Sequence, residues 1–554
     1  MTIDVEKVFD RRADNRWERI SVGDLFERVT WSQPDKEALI ATPCAARDPE
    51  FVRVSYRQAD RIVNQIAHAL LGMGYARGDR MALFCDNSNE AFLIKIAIAK
   101  AGLVVVPINT MMAPDMIVHS LKHTGTRAAI ADADLLGKAQ DNFATAGVAL
   151  VAVIPDASGE CHGFPGLRDL MQGQPITEPD VRIHGDDIWE ILMTSGTTSM
   201  PKAVMISHTY TYMAGLNQAL SFSRGLQFES DFRVCTYLPV IFHVSDQIFA
   251  AAALLTGGSL MMGRVPSPAA MIRDITTEKP SALFGGSPQF LAELARVAQA
   301  ADASTDLSSL QVIVYGWGAL HPETTERLRQ VCKGVNLIGI FGQTECIALH
   351  RFPIDRWPEV YHQTAPATNI VGVPSPLLAS TVMDSEGNSL HKQPGVPGEA
   401  VYRSPIVTAG YFRDEEATRE AFQHGWFHSG DVCEFRDDGL RVMVDRYKDV
   451  IKSGGENVSS LRIESVVAAF PGVSRVAVVG LPDQKWGEAV TAVVIPQENC
   501  TIDEAELISF CRHRLAGYES PKRVVIVDEL PVTVGGKVLK YKLRQRLSTE
   551  AGSG

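Results

Sequence analysis

The stretch TSGTTSMPKAVMISH, residues 194–208, gathers hydroxyls, a glycine and a lysine directly after the apolar run Ile188–Met193. Thr194, Ser195, Gly196, Thr197 and Thr198 can turn successive backbone N–H groups and hydroxyls inward as an anion nest. Lys202 adds a point charge suited to phosphate. The GxxxxGK[ST] spacing of a Walker loop is absent. Taken alone, such a stretch reads more readily as a Ser/Thr-rich surface turn.

Four further stretches decide against that. FGQTE (341–345) ends a strand-like run with Glu345, a carboxylate able to hold a hard cation such as Mg²⁺. GWFHSGD (425–431) delivers Asp431 at a tight turn, where a carboxylate can take both hydroxyls of a ribose. DRYKDVIKSGGEN (445–457) supplies Arg446 and then a Gly-Gly turn, and LPVTVGGKVLK (530–540) presents Lys537 after a second glycine pair. Each is weak alone. Five in this order are strong.

These residues need strands and turns to hold them. Apolar runs such as 80–87, 127–133, 149–155, 310–320 and 335–345 alternate with helix-like segments, among them 89–108, which reads as amphipathic. That rhythm predicts an α/β fold with parallel-rich sheets, whose strand ends form the ligand crevice. Stretches 194–199, 316–318 and 342–345 fall at such ends. Near residue 440 the pattern changes, which predicts a large multi-subdomain N-terminal domain, 1–446, and a small separate α+β domain, 447–554.

Composition narrows the partners. A net charge of −12 over 554 residues argues against a nucleic-acid surface. Nine cysteines, scattered singly without a CxxC pair, suit reduced thiols in a cytoplasm. The charged start is no secretory signal, and the apolar stretch 248–263 is shorter than the ~20 residues of a membrane span. It reads as a buried helix and strand.

With these motifs in this order, the sequence resembles the adenylate-forming superfamily of acyl-CoA synthetases, adenylation domains and luciferases over nearly its whole length. The resemblance implies an acyl-CoA ligase that adenylates a carboxylic acid with Mg-ATP, releases pyrophosphate and passes the acyl group to coenzyme A. It makes Thr194 to Lys202 the phosphate loop, Glu345 a Mg²⁺ ligand and Asp431 the ribose ligand. Arg446 contacts ribose and phosphate, Lys448 is the hinge, and Lys537 serves the adenylation step. Gly316, Gly318 and Thr344 join the nucleotide site, while Gly454, Gly455 and Glu456 shape the pantetheine tunnel. A homodimer is allowed by analogy. The alternatives are a ligase restricted to thioester formation from a supplied adenylate, an amide-forming or carrier-loading enzyme, and a non-catalytic binding relative.

The sequence departs from the family pattern in places. Ser199 and Ala203 stand where glycine is commonest, and a Cβ at Ala203 is costly only if its φ is positive. Two residues rather than one separate Pro239 from Phe242 and His243, the aromatic-His pair expected to gate the acyl pocket. Trp317 occupies a position where relatives often carry a small residue, and Gly285 and Gly286 offer room opposite. An indole there favours a bulky cyclic, aromatic or polycyclic acid over a straight long chain.

Overall fold

The computed structural model describes residues 20–194, 201–240, 245–301, 304–366, 368–391, 393–446, 449–453, 456–483, 485–532 and 538–551. One six-stranded sheet runs in the order 149–154, 128–132, 80–84, 104–107, 188–194, 202–207. Its pairs are parallel except the last, an antiparallel pair in which Thr194 faces Lys202. The strands Val104–Pro107 and Ala128–Asp132 are buried along their whole length, as continuous apolar runs in a covered parallel sheet should be.

A 14-stranded sheet carries the rest of the larger body. Strands 233–236, 259–262, 282–284, 312–315 and 336–343 are parallel, and from 346–353 onward the sheet continues antiparallel. The apolar stretch 248–263 folds as the buried helix and strand expected of it: a π-helix Ser245–Ala250, a short helix Ala251–Thr256 and a strand Ser259–Met262. Among the described residues no helix is long and apolar enough to cross a membrane.

The segment 89–108 departs from its amphipathic reading. Its helix Asn89–Lys100 is buried on every face, so Lys95 and Lys100 lie in the interior, each held by carboxylates. Charge in the sequence marked internal ion pairs here, not a solvated face.

A separate five-stranded sheet is built from strands between Ile451 and Ile526. It is joined to the larger body next to the strand Arg441–Arg446. The Asp445 carboxylate accepts from both the backbone N–H and the hydroxyl of Ser460, each at 2.6 Å, at the start of the helix Ser460–Ala468. Ser459 donates to the Val444 carbonyl at 2.6 Å, and Arg544 pairs with Asp449 at 2.9 Å.

Candidate active site

Lys202 opens the strand Lys202–Ser207, with its ammonium 4.5 Å from the centre of the Tyr411 ring. The Tyr411 hydroxyl donates to Glu345 Oε1 at 3.0 Å. A cation, a π face, a hydroxyl and a carboxylate thus follow one another in one line. Burial, the Glu345 charge and this hydrogen bond raise the Tyr411 phenol well above its ordinary value, so it remains a donor.

The line is braced by backbone. Residues 407–412 run between two elements: Val204 bridges Tyr411, Phe412 N–H donates to the Ala203 carbonyl at 2.7 Å, and Cys346 bridges Val407. Thr408 N–H donates to the Glu345 carbonyl at 2.7 Å. Glu345 sits in the two-residue turn between strands Asn336–Gln343 and Cys346–Pro353, where Tyr210 donates to the Thr344 carbonyl at 3.0 Å. Tyr210 lies on the helix that follows the Lys202 strand and is capped by Ser207. One strand–helix unit therefore supplies the lysine and props the carboxylate turn.

Asp431 and Arg446 come together across the strands Trp426–Phe435 and Arg441–Arg446, with Arg446 Nε 3.1 Å from Asp431 Oδ1. The Asp431 charge, with Glu345, Asp449 and Asp445 beyond it, outweighs burial and raises the arginine's pKa. The second oxygen of Glu345, Oε2, accepts no hydrogen bond among the described residues, and a half-buried carboxylate with one oxygen to spare fits the needs of a hard cation.

Trp317 follows the strand Val312–Tyr315 with φ +65°, a left-handed conformation unusual for a bulky residue, and is 45% exposed. Its indole meets the buried Phe284 ring edge-on at 5.8 Å, and Phe284, Phe249 and Phe222 continue inward at centroid spacings of 4.4 and 5.1 Å. A side chain on Gly286 would lie 3.9 Å from the indole, whereas one on Gly285 would strike Leu291 at 2.3 Å. Gly286 therefore borders the tryptophan, and Gly285 is small because the neighbouring helix packs on it. Gly316 N–H donates to the Gly286 carbonyl at 3.1 Å, tying the two glycine-bearing turns together, and Gly318 has φ +157°.

The departure from glycine at Ala203 has a plain physical answer. The residue lies inside the antiparallel pair opposite Met193, is absent from the positive-φ residues, and buries its methyl in the sheet's core. A glycine is not required there. Ser199 lies outside the described residues, as do Ser195, Gly196, Thr197, Thr198, Phe242, His243, Lys448, Gly454, Gly455 and Lys537; the Glu456 backbone falls in the strand Glu456–Val458.

Residues 26–412 match the AMP-binding enzyme model, and residues 462–537 match the AMP-binding enzyme C-terminal domain. The chain belongs to the AMP-binding enzyme family. This AMP-binding enzyme is 31% identical over 498 residues to a long-chain-fatty-acid–CoA ligase, FadD13, of Mycobacterium tuberculosis, covering 90% of this chain and 94% of the relative. It is equally 31% identical, over 516 residues, to a feruloyl-CoA synthase of an Amycolatopsis species, covering 93% and 98%. The ATP-bound structure of MatB from Rhodopseudomonas palustris superposes with a TM-score of 0.81 at 26% identity, covering 95% of this chain and 99% of that one. The chain is an adenylate-forming acid–thiol ligase of the acyl-CoA synthetase branch.

Of the expected site residues within the described region, Thr194, Lys202, Thr344, Glu345, Asp431 and Arg446 are held in or beside one cluster. Tyr411, which links Lys202 to Glu345, was not among them. VTAGYF (407–412) carries no charged residue to flag it. Glu399 was missed too: it accepts from His428 Nδ1 at 2.7 Å and from Gly430 N–H at 2.9 Å, fixing the turn before Asp431. His428 inside GWFHSGD was the available signal.

Proposed function

We propose that this AMP-binding enzyme joins a bulky cyclic, aromatic or polycyclic acid to coenzyme A through an acyl-adenylate. The observation that carries the reading is two sets of paired charges, Lys202 on Tyr411 whose hydroxyl holds Glu345, and Arg446 on Asp431, with the Glu345 charge among those that raise the arginine's pKa after Asp431. A carboxylate oxygen of the acid attacks the α-phosphorus of ATP, the bond to the β-phosphate oxygen breaks, and pyrophosphate leaves. Because this sets anion against anion, Lys202 and Lys537 act chiefly by offsetting charge. Glu345 would hold Mg²⁺, which when bound neutralises phosphate charge. Asp431 takes the ribose hydroxyls and Arg446 reaches between ribose and phosphate. The coenzyme A sulfur then attacks the acyl carbon and AMP departs.

The domain division at 446/447, with Lys448 as pivot and Gly454, Gly455 and Glu456 beside the thiol path, completes the proposal. His243 and Phe242 gate the acid. Trp317, backed by Phe284, Phe249 and Phe222, supports a flat, wide acid, because an indole held on a rigid aromatic row blocks a straight channel. The extended backbone at Ala203 favours a working adenylation loop over a ligase confined to thioester formation.

Pyrophosphate release with Mg-ATP and a panel of bulky and linear acids, without coenzyme A, tests this reading. Repeating the panel as pre-made acyl-adenylates with coenzyme A, an amine or a carrier protein identifies the acceptor. Release with ring-bearing acids is expected. An optimum at an unbranched C16 acid would overturn the substrate class, and silence with every acid would overturn adenylation.

A further inference from the structure

Lys95 is fully buried on the helix Asn89–Lys100, and its ammonium lies 2.5 Å from Glu190 Oε1 and 2.5 Å from Asp246 Oδ2. Gln247 donates to Glu190 Oε2 at 2.6 Å, and the Trp189 ring lies 5.2 Å from the ammonium. All of these groups are removed from solvent. None belongs to the cluster around Lys202 and Asp431.

The elements that meet here matter. Glu190 is in the strand that ends at Thr194, four residues later on the same face, where the phosphate loop begins. Asp246 and Gln247 are in the π-helix Ser245–Ala250, immediately after the segment that carries Phe242 and His243. A π turn takes more residues than an α turn and is frequent at functional sites. Lys95 thus joins the approach to the nucleotide with the exit from the acyl segment.

Stability does not account for such a cluster. Buried ion pairs are commonly no better than apolar residues of similar volume. This one carries two carboxylates for one cation, and Asp246 Oδ1 and Gln247 Oε1 are buried without hydrogen-bond partners among the described residues. Burial first, then the Asp246 charge, pushes the Glu190 carboxyl up to about 8, so the cluster holds a proton at neutral pH. The neighbouring titratable groups are His208, stacked on Trp189 and accepting from Val22 N–H, and Tyr210, whose phenol is raised by burial first, with the Asp246 charge adding a little.

We propose that Lys95, Glu190 and Asp246 are positioning residues for acyl-adenylate formation, locking the strand that enters the phosphate loop to the π-helix behind the acyl segment so that nucleotide and acid meet at one separation. This rests on the reaction proposed above. A displacement of about 1 Å between reactants can cost roughly 10²-fold in rate, which is the size of effect at stake.

The test compares the full-length wild type with Lys95→Met/Glu190→Leu/Asp246→Leu and with Glu190→Gln, reading pyrophosphate release, AMP-induced thermal shift and melting temperature. The apolar triple variant should melt near the wild type and keep its AMP shift, with kcat down roughly 10²-fold and the KM for ATP within about threefold. The wild type is expected to lose kcat as pH rises past the raised Glu190 pKa, and Glu190→Gln to remove that fall. If the triple variant keeps wild-type kcat, or Glu190→Gln keeps the wild-type alkaline limb, the positioning role is wrong; the second variant decides alone should the triple not fold. A wild type that releases no pyrophosphate with any acid overturns the underlying reaction and this role with it. An active wild type with unaffected variants overturns the role only.

Discussion

Arg446 and Asp431 face each other directly across two antiparallel strands, with the arginine's Nε 3.1 Å from the carboxylate's Oδ1. Asp431 is buried, so the pair is fixed before any nucleotide arrives. Asp431→Asn keeps the shape and removes the charge that holds Arg446. The KM for ATP should rise about tenfold or more, as expected when a charge-assisted contact worth roughly 1.5–3 kcal/mol is lost. Steady-state kinetics at saturating acid reads it directly; an unchanged KM would remove Asp431 from the ribose site.

Tyr411→Phe separates two contacts made by one side chain. The ring under Lys202 remains, and the hydroxyl on Glu345 is lost. Pyrophosphate release should fall about tenfold, with a higher Mg²⁺ requirement, while Lys202→Met should cost on the order of 10²-fold or more. A Mg²⁺ titration of the three proteins would distinguish a brace for Glu345 from a ring that serves only as packing.

Lys537→Ala should abolish adenylation and spare thioester formation from a synthetic acyl-adenylate, because the charge it supplies is needed only while phosphate is attacked. Equal loss in both half-reactions, measured side by side, would make the lysine structural.

Trp317→Gly removes the indole from a left-handed backbone that glycine adopts freely, which offsets the lost edge contact with Phe284. Longer linear acids should gain at least tenfold in kcat/KM relative to ring-bearing ones, with little change in melting temperature. A selectivity pattern identical to the wild type's would place the acyl group elsewhere.

Glu190 carries a pH signature in stability. Burial, then the Asp246 charge, pushes its carboxyl up from 4.5 in the unfolded chain to about 8 in the fold. The folded chain therefore binds more protons between those values, so this contribution is complete below 4.5 and is lost as pH rises to about 8. Relative to the wild type, Glu190→Gln should gain unfolding free energy with pH across that window, by up to ~1.4 kcal/mol per unit, and level off above it. Denaturant unfolding at several pH values gives the slope; parallel curves would mean that Glu190 is ionised in the fold.

The fold class was legible because parallel strands buried on both faces leave unbroken apolar runs, as at Ala128–Asp132, and the polar ends of two such runs lead to Lys202 and Glu345, which Tyr411 links. Lys202, Glu345, Asp431 and Arg446 could be picked out because each pairs an ionic group with a glycine or hydroxyl turn. Tyr411 could not, since its value comes from backbone pairing with Val204, a contact 207 positions away that no local pattern records. Glu190 and Lys95 stand as lone charges inside apolar runs, yet the spacing around Lys95 predicts a wet helix face where the fold has none. One periodicity argument cannot separate a solvated lysine from one that meets its counter-ions inside.

The bonds between Asp445 and Ser460 have a kinetic meaning. In the rotation proposed about Lys448, Asp445 would stay on the larger body and Ser460 would leave with the smaller one, so both 2.6 Å bonds would have to break in the same step. The Arg544–Asp449 pair, wholly beyond the proposed pivot, would travel intact. Such a joint would act as a latch with a seat, not as a loose tether. The dwell time of the cap in this arrangement would then be governed by how firmly one carboxylate grips the first turn of one helix.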